Sequence, residues 1–410
     1  MTGTTATTAT TEIRQQRRGV AIVVALAITE TTSFGVVYYG FGTMLPSTQR
    51  ELGFSQVQLS GAFSLALLIS GFVGLFVGRH LDRHDPRPVM AGGSVLATLG
   101  TWLWSRSDTL LSYYVSWTVL GVAMGMILYE PAFVVVTQWF RGEARRRALT
   151  AVTLVAGLAS TIFVPLQERL VDRYGWRSSL QIMAVALGVI TIPLHALVLK
   201  AVAHPDAGEP VGAVVSLTRR EAMIDRRFRI LIAANMVLAM TFAALVAHQI
   251  SFLEERRWTP AAAAVATGAI GLWQVGGRAV FAPISSRVRS QTVTTLTYGA
   301  QFLGLVLLLV STSRIMVAGY VALAGISRGM FTLVRAMLIA ELFGTRNYGS
   351  ISSVIAMATA GASALGPLVG GALQSLRGSY VPMVAVMALL AGVATLLASR
   401  IERPLAVRLG

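Results

Sequence analysis

A chain of 410 residues that is 54% hydrophobic and only 13% charged is too apolar for a soluble protein, where charged residues make up about a quarter. Its formal net charge of +16 sits in the breaks between apolar runs, so a lipid bilayer and not a nucleic acid is the expected partner. Cysteine is absent, which excludes disulfides and thiolate metal sites.

Residues 1–18 begin with Thr, Ala and Gly and lack the basic-then-apolar order of a cleaved signal, so they read as a short disordered tail. Twelve apolar runs follow, each near the 20 or so residues that a helix needs to cross hydrocarbon. They lie at 19–45, 56–77, 89–106, 110–138, 148–167, 177–199, 229–252, 260–284, 291–311, 315–343, 350–373 and 380–399. The one long polar interruption, 200–228, falls after the sixth run and divides the chain into 19–199 and 229–399, with 400–410 as a second tail. The expected fold is all-α and integral to the membrane, with twelve transmembrane helices in two six-helix bundles. Lys and Arg number 22 in the tails and loops on the side of the termini and nine on the other. That bias places both termini in the cytoplasm, and the expected location is a bacterial inner (plasma) membrane.

The halves read as repeats. Gly121-Val-Ala-Met-Gly125-Met126 in span four matches Gly325-Ile-Ser-Arg-Gly329-Met330 in span ten, and the register sets Pro131 opposite Arg335. Two six-helix repeats form one large transporter architecture, with a site between the pseudo-symmetric halves.

Between spans two and three runs Gly78-Arg79-His80-Leu81-Asp82-Arg83-His84-Asp85-Pro86-Arg87. It resembles the signature loop of the major facilitator superfamily, with Asp85 standing where glycine is usual. The resemblance implies a conformational latch built from Gly78, Asp82, Arg83 and Arg87. The second-half counterpart, Ala282-Pro283-Ile284-Ser285-Ser286-Arg287, lacks the aspartate, so the latch reads as one-sided.

Further matches narrow the branch. Phe41-Gly42-Thr43-Met44-Leu45-Pro46, Tyr129-Glu130-Pro131-Ala132-Phe133 and Gly361-Ala-Ser-Ala-Leu-Gly366-Pro367 resemble bacterial monocarboxylate and oxalate:formate transporters. Monocarboxylate transporters carry an acidic residue in span eight and, four positions later, an arginine that holds the substrate carboxylate. Gln274 and Arg278 occupy those places here, so the resemblance implies Arg278 as an anchor while its acidic companion is lost. Span eleven carries no basic residue, which disfavours a doubly anchored dicarboxylate such as oxalate. The span-four arginine usual in drug antiporters is missing as well.

Seven polar groups fall within the spans: Glu30, Glu130, His248, Gln274, Arg278, Arg328 and Arg335. Ionisable residues at membrane depth face the bundle interior and are functional hypotheses by default. Arg278, Gln274 and Arg328 are expected to meet the substrate, with Tyr129 and Tyr38; Tyr39 and Trp273 are further candidates for the cavity wall. Glu30, Glu130, Arg335 and His248 are expected to couple protons or pair charges: Glu130 either carries a proton or serves as the counter-ion of Arg335, and His248 is either a ligand or a packing residue. Thr31-Thr32-Ser33 beside Glu30 reads as a polar cavity wall.

The expected function is secondary active transport of a small-molecule substrate, a monocarboxylate or other organic anion, in symport with H+. No cofactor is expected, nor ATP, since Lys200 is the only lysine and no Gly-Lys-Ser/Thr occurs. The chain reads as a monomeric transporter and not an enzyme. Uptake of a vitamin such as a flavin, efflux of a toxic compound, and a sensor that binds without transport are the alternatives.

Overall fold

Inside hydrocarbon an apolar run can satisfy its backbone only as a helix or a closed barrel. In the computed structural model, which describes residues 3–81, 84–140, 142–199, 219–285, 287–343 and 348–401, every predicted run is helical. Among the described residues nine helical stretches are long and apolar enough to cross a membrane, and one of them, Arg147–Val198, is long enough to cross twice. It turns at Gly175, whose φ of 78° lies in the region that glycine adopts freely. Pro86–Ser105 and Pro260–Ser285 add spans three and eight, completing twelve. Spans two, nine and twelve are Gln56–Leu81, Ser290–Leu309 and Val381–Ser399; spans seven, ten and eleven are Arg226–Glu255, Arg314–Phe343 and Tyr348–Arg377.

The first span begins at Gly3, so helix runs back through most of the stretch expected to be a disordered tail. Of the linker, 200–218 lies outside the described residues, and Arg219–Ile224 is a short helix. Asp225 then caps span seven, accepting from the Arg227 backbone N–H at 2.7 Å and pairing with the Arg227 guanidinium at 2.6 Å. The hydrogen bond from Arg227 holds the Asp225 carboxyl below its usual range.

The repeat seen in sequence is a repeat of contacts. A Cβ on Gly121 would lie 2.8 Å from the Ala66 carbonyl oxygen, and one on Gly125 would lie 2.8 Å from that of Ser70. Gly325 and Gly329 press in the same way on the backbone of Ile270 and Gln274. Span four thus packs on span two as span ten packs on span eight. Small residues four apart let the backbones approach where no hydrophobic drive separates helix from lipid. This superposition makes Ser70 the mate of Gln274 and Met124 the mate of Arg328.

The halves meet along spans two with eleven and five with eight. At the end away from the termini, Gly42 abuts the Val246 carbonyl, Gly371 abuts Ser60, and Gly271 abuts Gly157 and Ser160. These glycine contacts bring the backbones of the two halves together there.

Candidate functional site

Three local breaks shape the space between the halves. Span one changes to a π-turn over Phe34–Tyr38, with the Tyr39 N–H bonded to the Phe34 carbonyl at 2.9 Å. Such a turn rotates the side chains that follow and leaves carbonyls short of a partner. Gln167 of span five supplies one, donating to the Gly35 carbonyl at 3.0 Å. Span four is interrupted at Leu128, whose extended backbone separates Leu110–Ile127 from Tyr129–Trp139. Pro131, which lacks an N–H and so fits the first turn of a helix, follows directly. Glu130 therefore stands in a first helical turn, where negative charge is favoured. Span five breaks after Ala156 and resumes at Ala159.

Around these breaks lies a cavity with two adjoining lobes of about 300 and 330 Å³. Both lobes share Phe34, Tyr38, Tyr129 and Glu130. The larger is completed from the second half by Phe242, Gln274, Arg328, Phe331 and Arg335. Arg328, Phe331 and Arg335 follow helical spacing, so one face of span ten supplies both charges and the ring between them.

Arg328 is half-buried. Its guanidinium donates to the Phe242 carbonyl at 3.3 Å, sits 5.0 Å over the Phe242 ring and lies close to Tyr38. No carboxylate lies within ion-pair distance of Arg328 or Arg335 among the described residues. The expected Glu130–Arg335 pair is therefore not formed in this conformation, although both side chains line the same lobe. Gln274 lines it as well, with its carbonyl oxygen buried and unpartnered.

Arg278 is placed differently from its expected role. It is 7% exposed, off the wall of either lobe, and donates through Nη1 to the Thr153 carbonyl across the seam between the halves. That carbonyl belongs to the last turn of Gly142–Ala156, where a cation is favoured by the helix dipole. The guanidinium also lies beside the Tyr129 phenol, so it touches the cavity through that ring.

Glu30 is fully buried behind Tyr129, and neither carboxyl oxygen has a hydrogen-bond partner. The hydroxyls of Thr31 and Thr32 bond back to the Ala27 and Ile28 carbonyls of their own helix. They are buried and line neither lobe, which corrects the reading of 31–33 as a cavity wall: Phe34 and Tyr38, one turn on, take that position. Trp273 is 44% exposed and absent from both lobes, because its Cβ lies against Gly325 and its ring points outward.

His248 packs. It is fully buried, with Nε2 2.8 Å from the Pro367 carbonyl and 3.4 Å from Ser60 Oγ, so that nitrogen carries the proton. It sits at the closed end of the seam and not on the cavity. Of the expected latch, Asp82 and Arg83 lie outside the described residues. Gly78 is partly exposed near the end of span two, and the Leu81 carbonyl there accepts from Gln138 at 2.6 Å. Arg87 forks onto Asp85, its Nε at 2.9 Å, while Asp85 caps span three. Asp85, which stands where the resembled loop has glycine, is thus the residue that holds Arg87.

Sequence reasoning missed Phe34, Phe242 and Phe331, since a lone aromatic in an apolar span carries no polar signal. Their spacing from Tyr38 and Arg328 was the available clue. Among the described residues no group of three or more His, Asp or Glu side chains is arranged to hold a metal ion.

A profile of the Major Facilitator Superfamily matches residues 29–314. Monocarboxylate transporter 13 of Bos taurus is 26% identical over 383 residues, which cover 90% of this chain and 84% of that protein. Riboflavin transporter RibJ of Trypanosoma brucei brucei is 31% identical over 153 residues, 36% of this chain and 27% of that one. Among solved structures, the nucleoside transporter NupG superposes with a TM-score of 0.74 at 14% identity, covering 93% of this chain and all of its own.

Proposed function

This chain belongs to the major facilitator superfamily and is a multi-pass membrane transporter, and from that premise we propose that it carries a small organic anion, a monocarboxylate in the first instance, by alternating access coupled to protons. The observation that carries this reading is Arg328: a guanidinium on the wall of a cavity between the halves, with no carboxylate paired to it among the described residues. Guanidinium stays charged when buried and holds a carboxylate with two parallel donors, so a substrate anion is the partner its chemistry asks for. Arg335, two turns away along the same face, extends the positive wall in the direction of the termini.

Glu30 is the proposed proton carrier. An unpartnered charge at full burial is costly, and a proton taken up or released there changes that cost by several kcal/mol. Its neighbour Tyr129 touches both the cavity and Arg278, so substrate arrival and proton movement meet at one ring. Arg278 enters this reading as a support for Tyr129 and for the seam, through Thr153.

The test is uptake of a labelled organic acid into proteoliposomes under an imposed pH gradient. Wild type accumulates the acid when the outside is more acidic. Arg328→Ala loses accumulation, and Glu30→Gln loses the response to the gradient while exchanging substrate at equilibrium. Accumulation by Arg328→Ala at the wild-type rate sinks the anion reading.

A further inference from the structure

Resting on the organic-anion reading above, we propose that the cavity selects aromatic monocarboxylates: a carboxylate on Arg328 carrying a benzene-sized ring that lies among the aromatic walls. Six of the seventeen residues around the larger lobe are aromatic, in a chain that is 8% aromatic, so the enrichment falls on the cavity and not on the chain at large.

The rings come from both halves. On the first, Phe34 stands 4.5 Å from Tyr129 and 5.7 Å edge-on from Tyr38, and Tyr38 is edge-on to Tyr39. On the second, Phe242 and Phe331 meet edge-on at 5.4 Å. Rings prefer offset and edge-to-face neighbours, and such pairs add stabilisation beyond the area they bury. Ala156, Ala239, Ala356 and Ala360 are among the other lining residues, and their small side chains add little bulk beside the rings. Arg328 is seated on the Phe242 ring at 5.0 Å, on the wall of the same lobe.

Size points the same way. A lobe of about 330 Å³ falls in the range of pockets that enclose drug-sized ligands. A three-carbon acid would occupy only a small part of it, whereas an aryl acid takes up more of the space and covers the aromatic lining.

The full-length protein in nanodiscs, titrated calorimetrically with four probes, tests this. They are 3-phenylpropionate, hexanoate, lactate and 3-phenylpropanamide. The expected order places 3-phenylpropionate first, roughly tenfold tighter than hexanoate, with lactate weaker still and the amide not bound. Phe331→Leu and Phe34→Leu each narrow the margin between 3-phenylpropionate and hexanoate, and residual hexanoate binding reports that the variants are folded. Hexanoate binding as tightly as 3-phenylpropionate, or both variants weakening the two acids equally, overturns the aromatic selectivity and leaves the anion reading standing. The amide binding as tightly as the acid overturns the anion reading itself, and with it this proposal. Silence of all four probes at millimolar concentration overturns both.

Discussion

The two six-helix halves share a scaffold and differ in charge. Gly121 and Gly125 seat span four on span two just as Gly325 and Gly329 seat span ten on span eight, yet the inner faces carry opposite signs. The first half contributes Glu30 and Glu130; the second contributes Arg278, Arg328 and Arg335 at positions whose mates are small or apolar. Met124 stands where Arg328 does, and Pro131 where Arg335 does. Packing within each half therefore requires none of the arginines, since the same helix pair packs without them in the other. Arg278 instead ties the halves together through Thr153, which leaves Arg328 and Arg335 as the charges at membrane depth whose presence points to function.

Replacing Arg328 by the residue its mate already uses breaks that comparison most directly. Arg328→Met is expected to lower uptake by about 10- to 100-fold, the size of a lost charge-assisted hydrogen bond. Its melting temperature should stay near wild type, because Met124 shows that methionine fits the equivalent wall; a large fall in stability with uptake retained would reverse the reading.

Packing at the glycines should be the next most sensitive. Gly329→Val puts a side chain against the Gln274 carbonyl and is expected to cost about 1–3 kcal/mol or more, seen as reduced folded yield on size exclusion. Gly276→Val, with open space at its Cβ, is the matched control and should express normally.

Arg278→Ala separates an anchor from a strut. If Arg278 acts across the seam, the variant slows turnover while KM changes by less than about threefold, and it melts a few degrees lower. A rise in KM at unchanged kcat would instead return Arg278 to the role of substrate anchor.

The smallest effect is expected in the linker. The Asp225 carboxyl, held low by Arg227, contributes stability at neutral pH that is lost as pH falls through its lowered folded value. Asp225→Asn should melt slightly below wild type at pH 7, and the gap should close under acid; a gap that widens there would refute the assignment.

Much of the fold was legible because its determinants are local. An apolar run of membrane length must be helical, and a repeated glycine pair marks a repeated close approach. The site was legible only in part. Charges at membrane depth announce themselves, so Glu30, Glu130, Arg328 and Arg335 stood out, whereas Phe34, Phe242 and Phe331 look in sequence like any lipid-facing ring. Trp273 and Thr31-Thr32 misled for the complementary reason: helical position fixes a face only relative to neighbours, and a hydroxyl can turn back on its own helix.

By itself the sequence determined twelve helices, their division into two repeats and which residues would be costly in lipid, because hydrophobicity, length and spacing act along a single chain. Only the tertiary structure decided which charges face the cavity. Arg278 and Arg328 are both arginines in apolar helices and both donate to a backbone carbonyl, but Arg278 does so across the seam and off the cavity, whereas Arg328 does so within its own half and on the cavity wall. That difference depends on where span five breaks and how span ten is rotated, and both are set by contacts between helices far apart in the chain.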